Sequence, residues 1–365
     1  MTSPKEPLIR IAKRNDIRLL PAILIRVAAV LLAALISLLL IRAVSDYSVG
    51  ETVRYMLDGA FRNEISLNAF FKEACMLLLF ALALAPVFKM RYWNIGAQGQ
   101  VLIGALGSAI LLFYLGNKLP DAVLLPAMIL TSIVMGAFWA IIPAFFKVRF
   151  KTNETLFTLM MNYIAIQITS AFIDLWKGRN STLGIIDRKA GSFPMLFGNR
   201  YAIVYLVTLV FVVLMAIYLT RTKHGYEIAV VGESIRTARY AGIDYKKVIL
   251  RTVALSGCIC GITGFLYVSA LSNTISATTG GSYGFTAIIV AWLAQFNPFF
   301  MSLISLLLSF LRTGSGELVN NNTNLNSSIG DIIISVFLFF ILGCEFFVRY
   351  RLIFRKHPAE EKEGQ

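Results

Sequence analysis

The stretch Ala22–Ile41 reads AILIRVAAVLLAALISLLLI, twenty residues with one charge, Arg26. A helix rises 1.5 Å per residue and the hydrocarbon core of a bilayer is about 30 Å thick, so this run is long enough to cross a membrane. The whole chain is similar, since 57% of its 365 residues are hydrophobic and only 15% are charged. Soluble domains carry about 25% charged residues. The sequence therefore predicts an all-α integral membrane protein.

Nine further apolar segments follow, which predicts about ten transmembrane helices. These segments lie at 74–88, 96–115, 122–146, 155–176, 201–219, 252–271, 284–296, 299–311 and 332–348. The two segments beside Asn297-Pro298 are short, so the region around 280–312 is expected to hold short or discontinuous helices. They are either two spans or a re-entrant pair.

The net charge of +14 falls almost entirely on one side of this arrangement. Loops on the side of the two termini carry 22 Lys and Arg against 10 Asp and Glu, and the opposite loops carry 11 against 10. Because cytoplasmic loops are enriched in basic residues, both termini are predicted to be cytoplasmic. The positive charge therefore does not indicate a nucleic-acid binder.

This topology divides the chain into three parts. Residues 1–20 are predicted to be a cytoplasmic arm, 21–348 the transmembrane domain, and 349–365 a cytoplasmic tail. Apolar and basic side chains are interspersed over residues 8–20, which is typical of a short helix lying on an anionic membrane surface, or else of a disordered basic arm.

The chain lacks the usual signatures of an enzyme. No Lys follows a Gly, which excludes a G-K-[ST] phosphate loop. Its histidines, His224 and His357, fall in predicted cytoplasmic segments, and its four cysteines fall in apolar ones. We therefore predict no catalytic residue and no metal site.

Polar residues that interrupt the spans are candidates for a substrate pathway. Asn94, Gln98 and Gln100 place three carboxamides at the start of the third span, among Gly96 and Gly99. The alternative is tight helix packing, in which the glycines permit close approach and the carboxamides bond between helices.

The fifth span carries a second polar set. Thr158, Asn162 and Thr169 are spaced by four and seven residues, so they share one helix face. They either line a cavity or bond to neighbouring helices. In the seventh span, Gly257 and Gly261 form a G-x-x-x-G pattern, which favours close helix packing.

The segment 220–251 is the largest predicted cytoplasmic element. Ser234 can cap a short helix and Gly242 can end it. Such a helix, presented to the cytoplasm, is either a docking surface for another protein or a solvated basic loop.

Four stretches together carry a family resemblance: NIGAQGQ at Asn94–Gln100, TLMMNYIA at Thr158–Ala165, and longer motifs at Gly225–Ile243 and Gly284–Pro298. The chain resembles the permease subunits of bacterial ABC importers for ribose, branched-chain amino acids and nucleosides. Within that group it is most similar to the larger of two paired nucleoside permeases, to which riboflavin permeases are also very similar.

The resemblance implies a permease domain that pairs with a second, non-identical permease and with ATPase subunits, and that receives solute from a substrate-binding lipoprotein or periplasmic protein. No cofactor is expected in this chain, because ATP and Mg are used by the ATPase. The segment 220–251 becomes the coupling segment, which contacts the ATPase. The coupling residues implied are Gly232, Glu233, Arg236, Arg239, Tyr240 and Gly242.

The expected function is import of a small neutral solute by alternating access across the inner membrane. A purine nucleoside is favoured, and riboflavin and simple sugars remain open. Gln98 stands where the family usually has Glu, and Ser234-Ile235 where Asn-Pro is common.

Two other classes remain as alternatives. An ion-coupled secondary transporter would need a charged residue deep in a span, whereas Arg26, Asp174, Asp331 and Glu345 lie near predicted span ends. The other alternative is a membrane scaffold without transport activity.

Overall fold

The computed structural model describes residues 9–13, 19–45, 47–186, 190–196, 198–321, 325–326 and 328–354. The first seven helices are α1 (Leu19–Val44), α2 (Val49–Phe61), α3 (Glu64–Lys89), α4 (Ala97–Leu115), α5 (Asp121–Phe150), α6 (Glu154–Lys177) and α7 (Ala202–Arg221). The other six are α8 (Lys223–Glu233), α9 (Ile235–Tyr240), α10 (Tyr245–Leu266), α11 (Tyr283–Leu293), α12 (Pro298–Asn321) and α13 (Ser328–Arg349). A π-helical turn, Tyr267–Ser272, extends α10.

The predicted all-α membrane fold is confirmed. Among the described residues, nine helices are long and apolar enough to cross a membrane, and α11 is a tenth, shorter apolar helix. With eleven residues, α11 is about 16 Å long, roughly half of a bilayer core. It is the short helix expected around 280–312.

Helices α3 and α12 extend furthest beyond their predicted apolar segments. The segment predicted at 299–311 continues to Asn321 as α12, and the segment predicted at 74–88 begins at Glu64 as α3. The sequence-based ends fell next to charged residues, Arg312 and Glu73. Charged residues end an apolar segment but not a helix, because Glu and Arg are good helix formers, so both residues lie within helices.

The described residues before α1 do not form the short interfacial helix that was one of their two expected structures. Ile9–Lys13 form strand β1, which pairs antiparallel with β2 (Tyr350–Phe354), from Ile9 opposite Phe354 to Lys13 opposite Tyr350. Pairing with a segment more than 330 residues away cannot be read from local periodicity. Most of the predicted arm and tail, residues 1–8, 14–18 and 355–365, lie outside the described residues.

By its internal contacts the chain forms two units, one from residues 1–59 and 314–365 and the other from 60–313. In the first unit α1 packs against α13. Arg26 joins these helices through two hydrogen bonds, from Nε and Nη2 to Glu345 Oε1, at 2.9 and 2.7 Å.

The second unit is built around α3, which is buried almost continuously from Met76 to Phe88. Helices α4, α5 and α10 form its tightest packing. A Cβ added at Gly136 would lie 2.6 Å from the carbonyl oxygen of Gly257, so only glycine allows these backbones to approach. Small residues at such crossings bring membrane helices into close van der Waals contact.

Candidate functional site

The carboxamides of Asn94 and Gln100 are paired with each other at the start of α4. Asn94 Nδ2 donates to Gln100 Oε1 at 3.3 Å, and Gln100 Nε2 donates to Asn94 Oδ1 at 3.2 Å. Asn94 Oδ1 also accepts the backbone N–H of Gly96 at 3.0 Å. Both side chains are buried. Their hydrogen-bonding capacity is thus used largely inside the protein.

Helix α6 supplies the other half of this network. Asn162 Oδ1 accepts the N–H of Gly99 at 2.8 Å, and its Nδ2 donates to the Ile95 carbonyl at 2.8 Å. Thr158 Oγ1 accepts the N–H of Ile95 at 3.1 Å. The first N–H groups of a helix have no intrahelical partner, so Asn162 acts as a cap for α4 that is delivered from another helix.

Four of the six pathway candidates, Asn94, Gln100, Thr158 and Asn162, therefore form one buried network. The other two lie apart from it. Thr169 is fully buried, and its hydroxyl has no hydrogen-bond partner among the described residues. Gln98 is half-buried and lies against α11, where a Cβ built on Gly284 would be 3.1 Å from Gln98 Cβ.

The packing glycines have different neighbours. A Cβ at Gly96 would lie 3.1 Å from Thr158 Cβ, and one at Gly99 would lie 2.8 Å from Asn162 Oδ1, so both hold α4 close to α6. Gly257 and Gly261 instead face α5, where a Cβ at Gly261 would overlap the carbonyl oxygen of Ser132.

An aromatic cluster that sequence reasoning missed lies beside this region. Trp93 and Trp292 are stacked, with ring centroids 5.6 Å apart and an interplanar angle of 21°. Phe88 contacts both indoles edge-on, and Phe296 contacts Trp292. Trp93 and Trp292 remain 43% and 41% exposed. The two tryptophans are 199 positions apart in the sequence, so no local pattern indicates their contact.

The coupling segment contains two helices, α8 and α9, outside the candidate spans. Ser234 caps α9 as predicted, with its hydroxyl accepting the N–H of Thr237 at 3.3 Å. Gly242 follows the helix with φ of +73°, in the left-handed region where glycine carries no Cβ penalty.

The six coupling candidates divide by exposure. Five are exposed, and Tyr240 is the extreme at 94%. The exposed ones are Glu233, Arg236, Arg239, Tyr240 and Gly242. Gly232 is buried against the end of α3, where a Cβ would overlap the carbonyl oxygen of Lys89. Gly232 therefore packs this segment against α3.

An ion pair attaches α8 to α10. Arg251 Nη2 donates to Glu227 Oε2 at 2.8 Å. This hydrogen bond lowers the pKa of Glu227 against the opposing effect of its desolvation, and His224 and Lys223 lower the pKa further. Glu227 therefore stays ionised at neutral pH and fixes the coupling segment to the membrane-spanning part of the unit.

Within the described residues, ten apolar helices, one of them short and preceded by a Gly280-Gly281 break, define a polytopic membrane protein with a capped two-helix segment outside the spans. The family described as branched-chain amino acid transport system / permease component matches residues 66–342, and the chain belongs to that family.

Three relatives are similar over most of their length. The glucose ABC transporter permease protein TsgB13 of Haloferax volcanii is 29% identical, covering 80% of this chain and 79% of that protein. The guanosine ABC transporter permease protein NupP of Bacillus subtilis is 27% identical, covering 83% and 88%. The nucleoside ABC transporter permease protein NupB of Lactococcus lactis is 26% identical, covering 79% and 83%. The chain is thus a multi-pass ABC importer permease of the bacterial inner membrane.

Proposed function

We propose that this permease imports a neutral, hydroxyl-rich solute, most consistently a purine nucleoside, as one half of an ATP-driven importer. Two of the three relatives named above are permeases for guanosine or nucleosides.

The observation that supports the ATP-driven part of the proposal is the exposure of helix α9. Ile235 and Tyr240, at 46% and 94% exposure, lie outside the spans at the two ends of α9, and exposed arginines lie between them. Exposed aromatic residues next to arginines are typical of protein interfaces. We infer that α9 docks on an ATPase subunit, which binds ATP and Mg.

The remaining partners follow from this arrangement. A second, non-identical permease would complete the pathway, and a substrate-binding lipoprotein or periplasmic protein would deliver the solute. The excess of Lys and Arg in the loops supports a topology with both termini and α9 in the cytoplasm. Alternating access would then transmit ATPase closure through α9 and the Glu227–Arg251 pair to α10.

The substrate proposal is tested by uptake in cells that lack this subunit. Labelled guanosine, riboflavin and glucose are supplied separately, and uptake is compared with cells carrying the gene. We expect loss of guanosine uptake and restoration by the intact chain. Unchanged uptake of guanosine would refute the nucleoside assignment.

The docking proposal is tested by Tyr240→Ala, with Tyr226→Ala as the matched control. Tyr226 is also an exposed tyrosine, at 64%, but it lies on α8. We expect Tyr240→Ala to reduce co-purification of the ATPase and to reduce uptake, and Tyr226→Ala to change neither. Equal behaviour of the two variants would count against docking at α9.

A simple sugar is the second candidate, because the relative from Haloferax volcanii is a glucose permease. Riboflavin remains the third candidate, since the sequence motifs alone do not separate it from nucleosides. The glucose and riboflavin arms of the uptake experiment decide between them.

A further inference from the structure

Glu73 and Arg312 are charged residues inside apolar helices of the unit formed by residues 60–313. Glu73 is the tenth residue of α3 and Arg312 the fifteenth of α12, which puts them about 14 and 21 Å from the helix starts. The two side chains interact electrostatically. Ionisable residues within spans are costly, and those that occur there usually serve a function.

Arg312 is held at the start of α11. Its Nη2 donates to Ser282 Oγ at 3.1 Å, and its Cζ lies 4.9 Å from the centroid of the Tyr283 ring, a cation–π contact. Gly280 and Gly281 precede Ser282 with φ of +87° and +46°, so the chain turns sharply just before this contact. The guanidinium and the phenol ring are thereby fixed where α11 begins.

Glu73 and Tyr267 each carry a buried oxygen atom. Glu73 Oε1 lies 4.0 Å from Lys72 Nζ, whereas Oε2 is buried without a hydrogen-bond partner among the described residues. The Tyr267 hydroxyl is likewise buried and unpartnered within that part of the chain, and Tyr267 interacts electrostatically with Glu73 and Arg312. Tyr267 opens the π-helical turn after α10, and π-helical turns are frequent at functional sites.

A purely structural role does not account for this arrangement. An ion pair between α3 and α12 would hold the helices together without Tyr267 and without an unpartnered carboxylate oxygen. Buried polar atoms in native proteins are almost always hydrogen-bonded, and each exception calls for an explanation. Part of the Glu73 side chain is exposed, at 26%, although its Oε2 atom is itself buried.

We propose that Glu73, Arg312, Tyr267 and Ser282 form a subsite that binds the hydroxyl-bearing sugar moiety of the transported solute. The carboxylate accepts hydrogen bonds from sugar hydroxyls, the guanidinium donates to them, and the Tyr267 phenol does both. The Tyr283 ring offers an apolar face to the C–H face of the sugar. The subsite rests on the proposed function, because nucleosides, hexoses and riboflavin all carry such hydroxyls.

The first test uses the complete importer in liposomes, with guanosine and 2′,3′-dideoxyguanosine as paired solutes. The preference for guanosine over the dideoxy analogue is compared between the wild type and Glu73→Gln. Any preference of the binding protein is the same in both and cancels. We expect Glu73→Gln to reduce the preference about tenfold, since charge-assisted hydrogen bonds are roughly twice as strong as neutral ones. Glu64→Gln, an exposed residue on the same helix, should leave it unchanged.

The second test is Tyr267→Phe, which removes only the unpartnered hydroxyl. We expect guanosine uptake to fall severalfold while the midpoint of thermal unfolding stays the same or rises. A role limited to packing predicts the opposite, namely normal uptake. Repeating the assay with glucose and riboflavin identifies which sugar-bearing solute the subsite serves.

The outcomes separate the subsite from the proposed function. If wild-type importer takes up none of the three solutes, the proposed function fails and the subsite fails with it. If the wild type transports guanosine but Glu73→Gln keeps the full preference, or Tyr267→Phe transports normally, the subsite alone is refuted.

Discussion

Replacing Asn162 by Leu decides whether the carboxamides of α4 and α6 serve packing or the pathway. Leu has nearly the shape of Asn but can neither accept the Gly99 N–H nor donate to the Ile95 carbonyl, both at 2.8 Å. Asn162 is only 4% exposed, so water cannot readily replace these bonds. The perturbation therefore removes two buried interhelical hydrogen bonds and uncaps the first turn of α4.

The size of the effect follows from those two bonds. Interhelical hydrogen bonds in membrane proteins contribute on average about 0.6 kcal/mol each and at most about 1.7 kcal/mol, so two bonds give about 1–3 kcal/mol. A loss in that range lowers the folding equilibrium constant about 5- to 150-fold, at 1.4 kcal/mol per tenfold change. The loss falls on the contact between α4 and α6.

The assay is thermal unfolding of the purified protein in detergent, paired with uptake per folded molecule. Gln167→Leu is the matched control, because it removes an exposed carboxamide from the same helix. We expect Asn162→Leu to unfold at a lower temperature than Gln167→Leu, with uptake per folded molecule largely retained. Unchanged stability combined with lost uptake would refute the packing interpretation and return Asn162 to the pathway.

Three further predictions concern helix packing, an ion pair and pH. Gly261→Ala should destabilise the fold by about 1–3 kcal/mol, since its Cβ meets a backbone carbonyl, whereas Gly343→Ala, with open space around it, should not; thermal unfolding of both variants checks this. Arg26→Met should lower the midpoint of thermal unfolding, because it removes the two charge-assisted hydrogen bonds that join α1 to α13; an unchanged midpoint would contradict it. The fold lowers the pKa of Glu227, so its ion pair with Arg251 stabilises the folded protein at neutral pH, and this stabilisation is lost as the pH falls below about 4.3, the ordinary pKa of a glutamate. Glu227→Gln should therefore be less stable than the wild type at pH 7, and the difference in stability between them should narrow in acid.

Local sequence patterns predicted most of the architecture. The spans from α4 to α7 begin and end within a few residues of their apolar segments, and Ser234 caps α9 as its position indicated. These features depend on the hydrophobicity of about 20 neighbouring residues or on one side chain and the backbone three residues on. Both properties are local, so the sequence alone is enough to predict these spans and this cap.

Features made by distant residues could not be predicted in this way. Trp93 and Trp292 stack across 199 positions, and β1 pairs with a strand near the other end of the chain. Glu73 and Arg312 mark the ends of apolar windows in the sequence, yet both lie within helices and interact with each other electrostatically.

The sequence by itself therefore determined that this protein is a many-helix membrane protein, since the cost of exposing apolar side chains to water depends on composition and run length alone. It also determined which carboxamides and hydroxyls interrupt the spans. Only the tertiary structure decided what those groups do. Asn94 and Gln100 bond to each other and Asn162 bonds to the backbone of Ile95 and Gly99, whereas Glu73 and Tyr267 keep buried oxygen atoms unpartnered within the described residues. Whether a polar group is satisfied depends on what the fold brings within about 3 Å of it, and that is a property of three dimensions.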